Sequence, residues 1–442
     1  MNSTVKNTAS VSRITAKNFK NVRLEDGIEF GALTIFVGTN GSGKSNVISL
    51  LQFLQESLAG AGIEDLRGQT SFEDAVFRLG GSRILDGTVN APASVSVEYQ
   101  FASEGNETLL GIDLLVQGAH WRVVVEREFL DKGPGRSNPP AYYRVHGGKG
   151  SGSGSGVIFV FDSPLEVAKQ MANPSTHLET VKDIPANELA LSSMPRVLEN
   201  TRFSPETVLL YKPRGMILDA TKSWAFFNAN CMNLDLVRQA EPKLGQPDYF
   251  VSPTGENLAL ALFNLIQGDY DFEVSLSQVM KDILPLTKRV RAVTSGRFSV
   301  TVEWHVEGYD VPFYLHEVSD GTVRMLCWAV VLLSPKPPTL IVIEEPELSI
   351  HPAWMPILAD WIKRASQNTQ VIVTTHSPDI LDHFTDQLDD GFIYAFQEDS
   401  ESPNHFTPKR LDRAKVSGWL EDGWQLGDLY RVGNPAVGGW PW

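Results

Sequence analysis

The chain has 442 residues, 42% hydrophobic and 21% charged, a globular composition with room for a sizeable core and one to three domains. Its formal net charge of −15 excludes a wholly basic nucleic-acid binder and leaves at most a local groove around Lys281, Lys288, Arg289, Arg291 and Arg297, whose plainer reading is a solvated face. No apolar run reaches the length of a membrane span, the N-terminus lacks a signal-peptide core, and Cys231 and Cys327 stand far apart, so the expectations are a cytoplasmic location, no disulfide framework and no zinc site.

In chain order, residues 11–19 read as an opening strand, 24–27 as a charged turn, and 28–30 and 33–37 as further strands. The run 33–37, LTIFV, feeds a glycine-rich loop and then a helix expected from Lys44 to about Leu58. From residue 93 the period of the pattern changes to two. Short strands at 95–101, 109–117, 121–130 and 142–145 suggest an antiparallel meander. The run 147–156, GGKGSGSGSG, reads as a flexible low-complexity loop or, equally, as an introduced linker in place of a disordered segment. Helical stretches follow at 164–171, 221–236, 257–265 and 272–284, and strand-like alternation returns at 289–306 and 311–315. The last third alternates again: a helix at 320–333, a buried strand at 339–343, a helix at 353–365, a strand at 370–374 and a further strand at 391–396. Short apolar strands alternating with helices imply a mostly parallel sheet that binds ligands at its carboxyl edge. The expected divisions are 1–90 and 291–400 as the two halves of a nucleotide-binding domain, 91–160 as the meander, 161–290 as a helical insertion and 401–442 as a tail.

Four stretches carry chemistry. Residues Gly38 to Ser45, GTNGSGKS, fit the GxxxxGK[ST] pattern, in which backbone N–H groups crowd a polyphosphate. Gly38, Thr39, Asn40, Gly41, Ser42, Gly43, Lys44, Ser45 and Asn46 are therefore the candidate nucleotide-binding residues. Lys44 would reach the β- and γ-phosphates and Ser45 would offer a hydroxyl to Mg²⁺. The run IVIEEPE ends a buried strand in two carboxylates, which suits a division of labour: Glu344 for the metal, Glu345 for orienting and deprotonating the attacking water. His376 closes the strand VIVTTHS, where an imidazole can sense a γ-phosphate. The segment VSDGTVR, with Ser319, Asp320 and Gly321, opens a helix whose N-terminus can face an anion. One chain cannot easily aim two helix N-termini at one triphosphate, so this second site would serve the nucleotide of another copy. LSIHP, with Ser349 and His351, follows the acidic pair and is placed to touch the same segment across a two-fold axis.

The ordered set NFK, GTNGSGKSN, SDGTVRML, LIVIEEPELSIHP and QVIVTTHSPDIL resembles ABC-type ATPases of the RecF and structural-maintenance-of-chromosomes (SMC) class. Within that class it is most similar to small bacterial ATPases of the AAA15/AAA21-like group, relatives of the overcoming-lysogenization-defect proteins. The tail at 418–440 is similar too. The resemblance implies an α/β fold: a P-loop ABC-type ATPase head with a mostly parallel sheet, an antiparallel β meander subdomain and a helical insertion. It also implies that two copies sandwich two ATP molecules, each with Mg²⁺. Lys44 and Ser45 of one copy would meet Ser319 and Gly321 of the other. Glu345 would be the catalytic base, His376 the switch residue, and LSIHP the loop linking the sites. The signature is SDG where transport ATPases usually carry SGG, and Glu344 stands where an Asp usually holds magnesium. Gln69 and Gln100 are the candidates for a glutamine loop. Relatives with a fused TOPRIM nuclease carry further acids after the histidine. No nuclease is expected within this chain, given the few residues after His376, and Asp386, Asp389 and Asp390 read as a solvated turn.

The expected function is an ATP-hydrolysing switch whose head dimerisation acts on DNA or on an effector protein, in DNA repair or phage defence. The partners expected are a second copy, with higher oligomers allowed, and a separate nuclease or toxin, with DNA as an option and no membrane. The alternative is a non-catalytic ATP-binding scaffold for such an effector. A P-loop kinase has no use for a second phosphate-facing helix N-terminus, and a transport ATPase would carry its motif halves closer together.

Overall fold

A computed structural model describes residues 9–59, 71–103, 106–118, 122–133, 141–147, 153–161, 176–199, 201, 208–389, 391–400 and 402–438. The chain divides into two compact units, one formed by residues 1–30, 41–223 and 396–408, the other by 31–40, 224–395 and 409–442. Among the described residues, no helix is long and apolar enough to cross a membrane.

The first unit is built on an eight-stranded antiparallel sheet. Its strands are β1 (Ser10–Lys17), β2 (Leu24–Glu29), β4 (Ala93–Ser103), β5 (Asn106–Val116), β6 (Val123–Lys132), β7 (Ala141–His146), β8 (Ser153–Phe161) and β9 (Thr176–Pro185), in the order β2-β1-β4-β5-β6-β7-β8-β9. Alternation explains one face: Val95, Val97, Tyr99 and Phe101 of β4 point inward and are buried, with half-exposed residues between them. The Tyr99 hydroxyl donates to the Leu50 carbonyl at 2.7 Å, tying β4 to the helix Lys44–Leu58. The meander therefore extends further than its sequence pattern indicates. Residues 153–156 of the glycine-serine run are not loop but the start of β8, with Gly156 opposite Val145. A Cβ on Gly154 or Gly156 would fall 2.4 or 2.5 Å from the carbonyl oxygens of His146 and Arg144, so glycine here permits close backbone approach. Residues 148–152, and the helix expected at 164–171, lie outside the described residues. Residues 24–27 are likewise strand rather than turn, with Gly27 at φ 77° beside a register shift in β1.

The second unit holds most of a six-stranded, largely parallel sheet. Its strands are β3 (Leu33–Val37), β10 (Ala225–Asn228), β14 (Leu340–Glu344), β15 (Gln370–Thr375), β16 (Phe392–Glu398) and β17 (Phe406–Arg410), ordered β10-β14-β15-β3-β16-β17. The pairs β10–β14, β14–β15, β15–β3 and β3–β16 are all parallel. Every residue of β3 is buried, as a central parallel strand covered on both faces requires. Buried Thr34 is satisfied by the Gly31 N–H at 3.1 Å. The core beneath gathers Phe227, Trp328, Trp361 and the apolar residues of the helix Asp320–Leu332, which is buried from Thr322 to Leu332. A three-stranded antiparallel sheet, β11 (Thr287–Ser295), β12 (Ser299–Val306) and β13 (Phe313–Tyr314), packs on the helices Leu258–Gly268 and Tyr270–Met280. The alternation at 289–306 is broken by a turn with Gly296 at φ 64°. The stretch 221–236 is not one helix: the helix Tyr211–Lys222 ends, β10 follows, and a short helix, Leu234–Gln239, comes after it.

Candidate functional site

β3 runs straight into the phosphate loop. The helix Lys44–Leu58 begins at N-cap Gly43, with φ 93°, no side-chain cap and no acid in its first turn. A helix N-terminus left uncapped and without acids suits a bound anion. Gly41 also has positive φ, at 81°. Lys44 and Ser42 are buried while Asn40, Gly41 and Ser45 are exposed. The NFK segment, Asn18 to Lys20, and the Asn21 that follows it support the loop: Asn21 Nδ2 donates to the Gly41 carbonyl at 3.1 Å, and Asn46 Nδ2 donates to Asn21 Oδ1 at 2.7 Å. Lys20 Nζ donates to Asn46 Oδ1 at 3.0 Å, and burial brings the Lys20 ammonium down to about 8. Asn18 and Lys20 both adopt left-handed backbone, with φ of 60° and 45°. The sequence signalled this segment only through resemblance; its hydrogen bonding to Gly41 and Asn46 emerges from the fold.

β14 and β15 are adjacent parallel strands, so their ends emerge side by side. Glu344 closes β14, and the Glu345 N–H donates to the Thr374 carbonyl at 2.9 Å. Glu345 is held at φ 53°, a region non-glycine residues seldom occupy, which turns its side chain off the strand. Its Oε1 lies 3.3 Å from His376 Nδ1. Glu347, two residues on, is buried. Its Oε1 accepts from Thr375 Oγ1 at 2.5 Å, and Thr375 Oγ1 accepts from the Ser377 N–H at 2.9 Å, bracketing His376 on both sides. Burial pushes the Glu347 carboxyl up. Thus Glu344, Glu345 and His376 form one cluster at the carboxyl edge of the sheet that contains β3.

Ser319, Asp320, Gly321, Ser349 and His351 form another. Ser319 caps the helix Asp320–Leu332, its Oγ accepting from the Thr322 N–H at 3.3 Å. Asp320 would weaken an anion site, but Arg238 pairs with it at 2.6 Å and also donates to the Leu315 and Val318 carbonyls. A Cβ on Gly321 would lie 3.1 Å from the Trp354 ring and 3.4 Å from the Ser349 carbonyl, so the signature packs on the loop after the acidic pair. Ser349 has φ 59°, and His351 caps the next turn, its Nδ1 accepting from the Ala353 N–H at 3.1 Å.

Sequence reasoning missed the residues beside the carboxylates. Asn230 Nδ2 donates to Glu345 Oε2 at 3.1 Å, and Asn228 Nδ2 to Glu344 Oε1 at 3.4 Å. The only available signal was a polar end, NAN, on a short apolar run. Of the glutamine-loop candidates, Gln100 sits within β4, and Gln69 lies outside the described residues, as does Asp390. Asp386 pairs with Lys363 at 2.7 Å and Asp389 with Arg413 at 2.5 Å. Among the described residues no group of three or more His, Cys, Asp or Glu side chains could hold a metal. Mg²⁺ commonly takes only one or two protein oxygens and completes its shell with phosphates and water, for which no such group is needed.

The family model described as "AAA domain, putative AbiEii toxin, Type IV TA system" matches residues 33–157 and 236–382, more than half of the chain. The chain belongs to this AAA family. Among solved structures, an SMC head bound to the C-winged helix domain of ScpA matches with a TM-score of 0.51 at 13% identity, over 92% of this chain and 99% of that one. An SMC head domain from Thermotoga maritima matches with a TM-score of 0.41 at 13% identity, over 91% and 99%. An Smc head with an extended coiled coil, bound to the C-terminal domain of ScpA from Pyrococcus furiosus, gives 0.45 at 14%, over 94% and 99%. The first of these establishes that the AAA-family chain has the fold of an SMC head. No curated relative matches the sequence significantly.

Proposed function

We propose that this AAA-family chain is a Mg²⁺-dependent ATP hydrolase that works as a pair, two copies closing around two ATP molecules and reopening after hydrolysis. One observation carries the reading: neighbouring strands β14 and β15 bring Glu345 and His376 within 3.3 Å, in the sheet whose strand β3 leads into the phosphate loop. Bound Mg²⁺ would neutralise phosphate charge; Ser45 and Glu344 would hold it. Lys44 and the loop glycines bind phosphate, Glu345 orients and deprotonates the attacking water, and His376 responds to the terminal phosphate. Ser319 and Gly321 complete the nucleotide site of the other copy, and Ser349 and His351 form the loop that relays between the two.

The closing motion would act on an effector protein. The family description, with its putative toxin of a toxin–antitoxin system, supports a toxin-type effector and with it a role in phage defence, and the likeness to a head that binds ScpA supports a protein partner. Two of the five cations of the basic cluster are already engaged, Arg289 with Glu273 and Arg291 with Glu303 at 2.9 Å, which leaves less charge there for DNA phosphates. Glu345→Gln is expected to abolish steady-state phosphate release and to trap an ATP-bound dimer, read by light scattering. Retained turnover would remove Glu345 as the base. Negligible phosphate release by the unsubstituted protein would favour the scaffold reading.

A further inference from the structure

The tripeptide Asn228–Ala229–Asn230 starts on the last residue of β10 and meets both members of the acidic pair. Besides the two amide-to-carboxylate bonds, the Ala229 N–H donates to the Glu344 carbonyl at 3.1 Å. Asn228 Oδ1 accepts from the Asn230 N–H at 2.8 Å, which locks the turn itself. From the other side, buried Arg324 of the helix Asp320–Leu332 donates Nη1 to the Ala229 carbonyl at 2.6 Å. The loop is thus fastened to the acidic strand and to the signature helix, and it presents one amide N–H to the carboxylate proposed to activate water.

We infer that Asn230 is a positioning residue for Glu345, holding one carboxylate oxygen while the other faces His376, and that Arg324 keeps the Asn230 loop in place. The inference rests on the assignment of Glu345 as the base. A carboxylate with free rotation would sample many orientations. An amide donor on Oε2 and a left-handed backbone at φ 53° restrict it to one. Asn is suited to this task because its N–H₂ donates without adding charge beside the phosphates.

Asn230 is exposed, so its substitution leaves the core intact. Asn230→Ala is expected to lower kcat by about 10- to 100-fold, as loss of such supporting hydrogen bonds commonly does, with KM for ATP within about twofold of the unsubstituted value. Asn230→Asp has the same shape but sets a carboxylate oxygen against Glu345 Oε2, and is expected to fall lower still. Glu345→Gln, assayed alongside, separates the two ideas. If it is silent while Asn230→Ala turns over normally, the positioning role is overturned. A matched loss of kcat and ATP affinity together with a lower melting temperature would also overturn it, by showing a merely structural role. If Glu345→Gln stays active, the assignment of the base fails first and the positioning role fails with it.

Discussion

Gly43 and Gly41 show how much a single position can be asked to do. Both hold backbone that L-residues resist, at φ 93° and 81°. They differ in surroundings: a Cβ on Gly43 would lie 2.3 Å from Val22 Cγ2, whereas one on Gly41 would meet nothing within 4 Å. Gly41→Ala therefore carries conformational strain of about 1–2 kcal/mol, and Gly43→Ala adds a steric clash at the start of the helix. Titration with a fluorescent ATP analogue is expected to show a modest loss of affinity for Gly41→Ala and a loss of at least about tenfold for Gly43→Ala. Equal effects would mean that packing against Val22 is irrelevant. The loop glycines, Lys44, the carboxylates and His376 were legible in sequence because each lies in a contiguous motif with a chemical purpose. Asn228, Asn230 and Arg324 were not, because only the pairing of β10 with β14 brings residues so distant in sequence together.

At the scale of elements, strands with clean alternation were legible to within a few residues, as in β4 and β5. β10 was lost because four residues, AFFN, between helical neighbours carry too little periodicity, and β8 because glycine and serine ordinarily signal loops. A buried acid on β6 was also invisible. The Glu128 carboxylate accepts from the Ala190 and Leu191 N–H groups at 2.5 and 2.7 Å, capping the helix Ala190–Glu199, and from the Tyr143 hydroxyl at 2.5 Å. Burial nonetheless pushes its carboxyl up to about 7, against 4.5 when free. With the folded value above the unfolded one, the folded protein binds the proton more tightly, so stability falls as pH rises from 4.5 to 7 and then levels off. Relative to Glu128→Gln, which does not titrate, the loss should be on the order of 3 kcal/mol, read from urea unfolding at a series of pH values. A difference between the two proteins that stays flat across that range would contradict the burial argument.

For the whole molecule, the net charge of −15 and the pairing of Arg289 and Arg291 turn attention from nucleic acid to protein partners and to a second copy of the chain. The central claim is that one copy's phosphate loop works with another copy's signature. A mixing experiment tests it most directly. Lys44→Ala removes the phosphate grip and Ser319→Arg blocks the signature, so each variant alone is expected to be inactive. In an equal mixture, heterodimers carry one site with an intact phosphate loop from the Ser319→Arg chain and an intact signature from the Lys44→Ala chain. Random pairing should then restore about a quarter of the unsubstituted ATPase rate. A mixture as silent as its two components, or a Ser319→Arg protein that hydrolyses ATP normally by itself, would contradict the shared site.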